Sequence, residues 1–199
     1  MEIYKKMNST LMSNDEINIK LSLLPQFLQN KISNYSSSEK KQQRIEGIML
    51  LTTALKKNQM EENSIQSMYY NAYGKPYIID DVDFSIAYSN TTTVLGFIRK
   101  GYIGVDVEHI KPIDCSVYKE YFTTKEWVFL TQNLFSPVTF FQLWTRKEAA
   151  VKAIGKGAFL DFNCIEVLED SIILEDKQLY LTTEFMEGYC LSVASSEEG

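Results

Sequence analysis

The hydrophobic period of this chain changes repeatedly along its length, and that change constrains the fold more than any single residue does. From residue 16 to about residue 57, apolar side chains recur at helical spacing. They are Leu21, Leu24, Leu28 and Ile32, then Ile45, Ile48, Met49, Thr52 and Leu55. The first group predicts a helix over 16–34 with Pro25 near its first turn. Ser36-Ser37-Ser38 separates the groups and predicts an N-cap. From Phe84 the period becomes two. Phe84, Ile86 and Tyr88 alternate with Ser85, Ala87 and Ser89, and further strands are expected at 93–99 and 102–108, with Lys100-Gly101 as a hairpin turn. The order then repeats. Thr123-Thr124-Lys125-Glu126 is a capping box, and Ser136-Pro137 opens a helix that stops at Gly155-Lys156-Gly157. Strands are expected around 162–168, 171–174, 178–183 and 188–195. Helix–helix–strands twice over, with no Pro-, Gly- or Ser-rich linker, predicts an α+β fold of two similar lobes, 1–101 and 102–199.

Composition narrows the function. At 199 residues, 45% hydrophobic and 23% charged, the chain is globular and long enough for one ordinary domain or two small lobes. No apolar run approaches the ~20 residues of a membrane span, and Met1-Glu2-Ile3-Tyr4-Lys5-Lys6 lacks a signal-peptide core. One histidine, His109, and three cysteines without a CxxC argue against a Cys/His zinc site and a Ser-His-Asp hydrolase. The odd cysteine count suits reduced thiols and a cytoplasmic location. The net charge of −6 is uneven: residues 1–100 carry 12 basic and 10 acidic residues, and residues 101–199 carry 8 and 16. That balance speaks against a nucleic-acid binder. It suits an anion site early and a cation site late, or equally a random surface distribution.

Two constellations carry chemistry. In Gly104-Val105-Asp106-Val107-Glu108 the two carboxylates project from one strand face, as hard cations require or as any solvated strand face displays. In Trp144-Thr145-Arg146-Lys147-Glu148-Ala149-Ala150-Val151-Lys152, Trp144, Glu148 and Lys152 share one helical stripe. Glu148 and Lys152 are then either metal and phosphate ligands or an i,i+4 surface pair. His109 reads as structural or surface, not as a ligand.

Together these segments resemble the two signature motifs of the 4′-phosphopantetheinyl transferases. Tyr73-Gly74-Lys75-Pro76, Phe84-Ser85-Ile86-Ala87-Tyr88-Ser89 and Arg44-Ile45-Glu46-Gly47 resemble the family's earlier motifs in order and spacing. Chain length and two apparent lobes resemble the larger, surfactin-synthetase-activating type. The resemblance implies an active site in the cleft between the lobes. There the phosphopantetheine arm of coenzyme A would pass to a serine of an apo acyl or peptidyl carrier protein, releasing 3′,5′-ADP. It implies Asp106, Glu108 and Glu148 as Mg²⁺ ligands and Lys152 on the pyrophosphate. Glu126 would be base or helix cap. Arg44 would sit on the 3′-phosphate and Lys75 with Pro76 on the adenine, with Tyr88, Ser89 and Lys147 as further coenzyme contacts. Carrier contacts would lie around 110–135, with Lys111, Lys119 and Lys125 as basic contacts, on a monomer. The family usually carries Ser-His-Ser where this chain has Ala87-Tyr88-Ser89. The competing expectations are another Mg²⁺-dependent nucleotidyl- or phosphotransferase, and a relative that binds carrier or coenzyme A without transfer.

Overall fold

The computed structural model describes residues 1–7, 10–79 and 82–198, without the side chains of Glu62, Asn63 and Ala158. Strand β1 (Glu2–Met7) is followed by helices α1 (Asn14–Ser22), α2 (Gln26–Ser33) and α3 (Ser38–Lys57). The single helix expected over 16–34 is therefore two. Pro25 is the N-cap of α2, where a ring without an N–H cannot continue α1 and biases Leu24 away from helix. Ser37 caps α3 by accepting from the Lys40 N–H, as the serine run predicts.

A small ribbon of β2 (Tyr69–Tyr70) and β3 (Pro76–Tyr77) precedes β4 (Asp83–Ser89), β5 (Thr92–Ile98) and β6 (Ile103–His109). The second half holds α4 (Thr124–Gln132), α5 (Pro137–Ile154), β7 (Ser171–Leu174), β8 (Lys177–Met186) and β9 (Tyr189–Ser195). The strand expected over 162–168 is instead a 3-10 turn at Phe162–Cys164 and irregular chain. Beyond that turn's own backbone bonds, its Phe162 and Ile165 carbonyls accept from the buried Lys147, and its Val167 N–H donates to the buried Glu126.

These strands form two larger antiparallel sheets, β1-β5-β4 and β6-β9-β8-β7. The fold is mixed α+β with two sheet-containing regions. Helix α3 covers the first sheet, burying Leu51, Leu55, Phe84, Leu95 and Phe97. Helix α5 covers the second, burying Phe140, Ala149, Ala150, Leu181 and Ala194. No helix among the described residues is long and apolar enough to cross a membrane.

The hairpin expected at Lys100-Gly101 does not form. Strand β5 already pairs with β1 on one edge and β4 on the other, so β6 cannot join it. Gly101, at φ +107°, turns the chain into the second sheet instead. The two sheets meet where β4 lies against β6, and side chains make the joint. The Ile103 N–H donates to Asp83 Oδ2 (2.9 Å), Val105 to Ser85 Oγ (3.1 Å) and His109 to Ser89 Oγ (3.0 Å). Side chains on one strand face and N–H groups on one strand edge both recur every second residue, so one strand's side chains can satisfy the other's backbone.

Gly104 sets the approach of α5 to β6. A Cβ there would lie 2.0 Å from the Ala149 carbonyl oxygen and 2.4 Å from the Ala153 nitrogen, both backbone atoms. Gly104→Ala must push the helix off the sheet. We expect a loss of ~2–4 kcal/mol, the upper range of overpacking, read as a lowered urea midpoint. An unchanged midpoint would show that α5 can shift freely.

Candidate active site

A cavity of ≈ 890 Å³ opens between the two sheet regions, within the range of small-molecule sites. Arg44, Tyr70, Pro76 and Tyr88 line it from the first region, and Trp144, Glu148, Lys152 and Phe162 from the second. The turn at Tyr73-Gly74-Lys75-Pro76 borders it because Asn71 fastens that turn to the end of α5. Asn71 Nδ2 donates to the Gly155 carbonyl (2.8 Å), and its Oδ1 accepts from the Tyr73 and Lys75 N–H groups (2.9 Å each).

The acids of β6 and α5 gather beside Lys152. The close packing at Gly104 lets the Lys152 ammonium reach Asp106 Oδ1 at 2.6 Å, while Asp106 Oδ2 is buried with no hydrogen-bond partner. Ser89 Oγ donates to Glu108 Oε2 at 3.2 Å. Burial raises the pKa of Asp106, opposed by Lys152. Burial also raises Glu108, and the Asp106 charge adds to the rise. Glu148 is raised by burial, opposed by Lys152, with Asp106 and Glu108 adding to the shift. Burial works against the Lys152 cation, but Asp106, Glu148 and Glu108 outweigh it and the pKa rises. Lys152 therefore stays an ammonium at neutral pH.

Three carboxylates that repel one another across one ammonium are hard oxygen donors with charge to spare. The partnerless Asp106 Oδ2 is an atom a divalent cation would satisfy. Among the described residues no three His, Cys, Asp or Glu side chains close around a single ion position.

Cations and aromatic rings form another part of the lining. The Arg44 guanidinium carbon stands 3.8 Å from the Tyr88 ring centroid and 5.1 Å from that of Tyr35. Lys31 Nζ stands 3.2 Å over Tyr70. Burial lowers the Lys31 pKa, and Arg44 adds to the drop. Burial pushes the Tyr88 phenol up to about 12.

Other expected site residues are placed differently. The Lys75 ammonium is buried against Asp83 (2.6 Å) and donates to the Ile103 and Ala153 carbonyls (3.2 and 3.3 Å). Glu126 and Lys147 lie together, 2.7 Å apart and both 0% exposed. The capping box expected at Thr123 is present, with Glu126 Oε2 accepting from the Thr123 N–H (2.8 Å) and Oε1 from the Val167 N–H (2.9 Å). Lys147 donates to the Phe162 carbonyl (2.7 Å) and the Ile165 carbonyl. On a helix, adjacent residues point about 100° apart, so Lys147 leaves the stripe that carries Glu148 to the cavity. Neither member of this pair lines the cavity. Sequence reading did not single out Tyr35, Tyr70 or Asp83. Asp83 continues the alternation through Ser85, Ala87 and Ser89, so its face is readable from that pattern; Tyr35 and Tyr70 belong to no periodic or motif position, and their signal is spatial.

An α+β protein whose cavity is bordered by cations, stacked rings and clustered acids has the equipment to handle phosphorylated ligands beside a divalent ion. A model of the 4′-phosphopantetheinyl transferase superfamily matches residues 102–194. The chain is 35% identical over 140 residues to the 4′-phosphopantetheinyl transferase gsp of Aneurinibacillus migulanus, covering 63% of this chain and 58% of that one. A 4′-phosphopantetheinyl transferase of Bacillus subtilis is 33% identical over 125 residues, 61% and 55% of the two chains. The match to 4′-phosphopantetheinyl transferase Sfp of Bacillus subtilis (strain 168) is lower, 26% over 208 residues, but spans 98% of this chain and 92% of that one. The match to the first two relatives thus covers a little over half of their length.

Proposed function

We propose that this protein transfers the 4′-phosphopantetheine arm of coenzyme A to a serine of an apo carrier protein and releases 3′,5′-ADP. The observation that carries the reading is the meeting of Asp106 and Lys152 beside Glu108 and Glu148 at a coenzyme-sized cavity. The two sheet regions, each under one long helix, support two similar lobes, 1–101 and 102–199, with the coenzyme between them.

In the reaction the serine oxygen bonds to the β-phosphorus, and the bond from that phosphorus to the bridging oxygen breaks. The 3′,5′-ADP leaves with that oxygen. Asp106, Glu108 and Glu148 would hold Mg²⁺, which when bound supplies charge neutralisation at the pyrophosphate. Lys152, kept cationic by its acids, binds a pyrophosphate oxygen. Among the three acids Glu148 alone lines the cavity, and it is one candidate to accept the serine proton. Glu126 is the other candidate for that proton; its enclosed contacts support the capping role. Arg44 takes the 3′-phosphate as a planar fork of donors. The Lys75 backbone and Pro76 border the adenine. A carrier would dock near 110–135, where Lys111, Lys119 and Lys125 offer positive charge. Free thiols at Cys115, Cys164 and Cys190 suit a cytoplasmic location, and the protein is read as a monomer.

Incubating the protein with an apo carrier, coenzyme A and Mg²⁺ tests this reading by intact-mass measurement. The expected result is a carrier heavier by one phosphopantetheine and an equal amount of 3′,5′-ADP. Release of pyrophosphate or phosphate instead would indicate a different phosphotransferase. Coenzyme A binding without mass gain would indicate a non-catalytic relative.

A further inference from the structure

Arg44 and Gly47 lie one turn apart on α3, and Tyr88 of β4 packs against both. A Cβ on Gly47 would stand 2.5 Å from the Tyr88 hydroxyl oxygen and 3.1 Å from Cε1. The missing side chain therefore makes the slot in which the ring lies, and the ring in turn faces the Arg44 guanidinium at 3.8 Å. Tyr35 approaches the same guanidinium at 5.1 Å. The Arg44 Nε is buried with no partner among the described residues. A guanidinium held by its flat face keeps its N–H donors in plane, and those not turned to the Tyr88 hydroxyl are free for an anion.

We propose that Tyr88 is a positioning residue, seated by the gap at Gly47, that holds the Arg44 fork toward the phosphate monoester of the coenzyme. This rests on the coenzyme A reading above and adds to it how this chain orients its phosphate ligand. No charge on residue 88 is needed, because the ring supplies orientation and Arg44 supplies the charge.

Titration calorimetry with coenzyme A and with 3′-dephospho-coenzyme A tests it on the wild type, Tyr88→Phe, Tyr88→Leu and Gly47→Ala. Tyr88→Phe keeps the ring and should bind coenzyme A within about twofold of wild type. Tyr88→Leu loses the face and should bind it roughly tenfold more weakly. Gly47→Ala displaces the ring and should weaken binding in the same direction. The dephospho ligand should bind all four proteins alike. Equal losses for both ligands, or none for coenzyme A in Tyr88→Leu, would overturn the positioning role. A folded wild type that binds neither ligand would instead sink the coenzyme reading itself. Should Tyr88→Leu fail to fold, the Gly47→Ala comparison of the two ligands decides alone.

Discussion

Asp106→Ala is expected to abolish carrier modification while leaving the protein folded. Asp106 is the acid that Lys152 grips, and its second oxygen has no protein partner. Its removal takes one hard ligand from the proposed Mg²⁺ site and frees Lys152 to swing. A lost metal contribution of several kcal/mol corresponds to roughly a thousandfold in rate or more. The measurement is turnover at saturating Mg²⁺ and coenzyme A, with a melting curve to confirm folding. Near-normal turnover in the folded variant would remove Asp106 from the site. Asp106→Asn keeps the shape and loses the charge, so it should fail almost as badly. If shape alone mattered, it would recover.

The second large effect is on stability. Glu126→Ala leaves the Lys147 ammonium enclosed without its counter-charge and strips acceptors from the Thr123 and Val167 N–H groups. Breaking one side of a buried pair costs ~3–5 kcal/mol, or roughly 10 °C of melting temperature in a chain of this length. Replacing both partners together, as Glu126→Leu with Lys147→Met, removes the unpaired charge and should recover part of that loss. The pair also separates cap from base. A structural Glu126 predicts that turnover follows folding in the double variant. Restored melting without any turnover would show instead that the carboxylate acts on the serine proton.

Much of the architecture was legible because it is local. The caps at Ser37 and Thr123 and the alternation through Phe84–Ser89 depend on neighbours a few residues away. The errors share a physical cause. Whether Lys100-Gly101 closes a hairpin depends on which strands have already claimed the edges of β5, and β1, nearly a hundred residues earlier, takes one of them. The strand pattern at 162–168 was overridden by a buried lysine and glutamate that bind its backbone directly. At the site, the acids were legible from strand and helix spacing. The partners of Lys75 and Arg44 were not. Asp83, Tyr35 and Tyr70 reach them only through the tertiary fold.

The joint between β4 and β6 differs in kind from the ladders on either side of it. Main-chain ladders are indifferent to most substitutions, because every residue but proline carries the same N–H and C=O. Here the acceptors are Asp83, Ser85 and Ser89, so the grip between the two halves is written in residue identity. Ser89 also holds Glu108, which places one hydroxyl at both the joint and the acidic site. A lineage could loosen or stiffen this cleft one codon at a time without disturbing either sheet, and so retune which ligands the cavity admits.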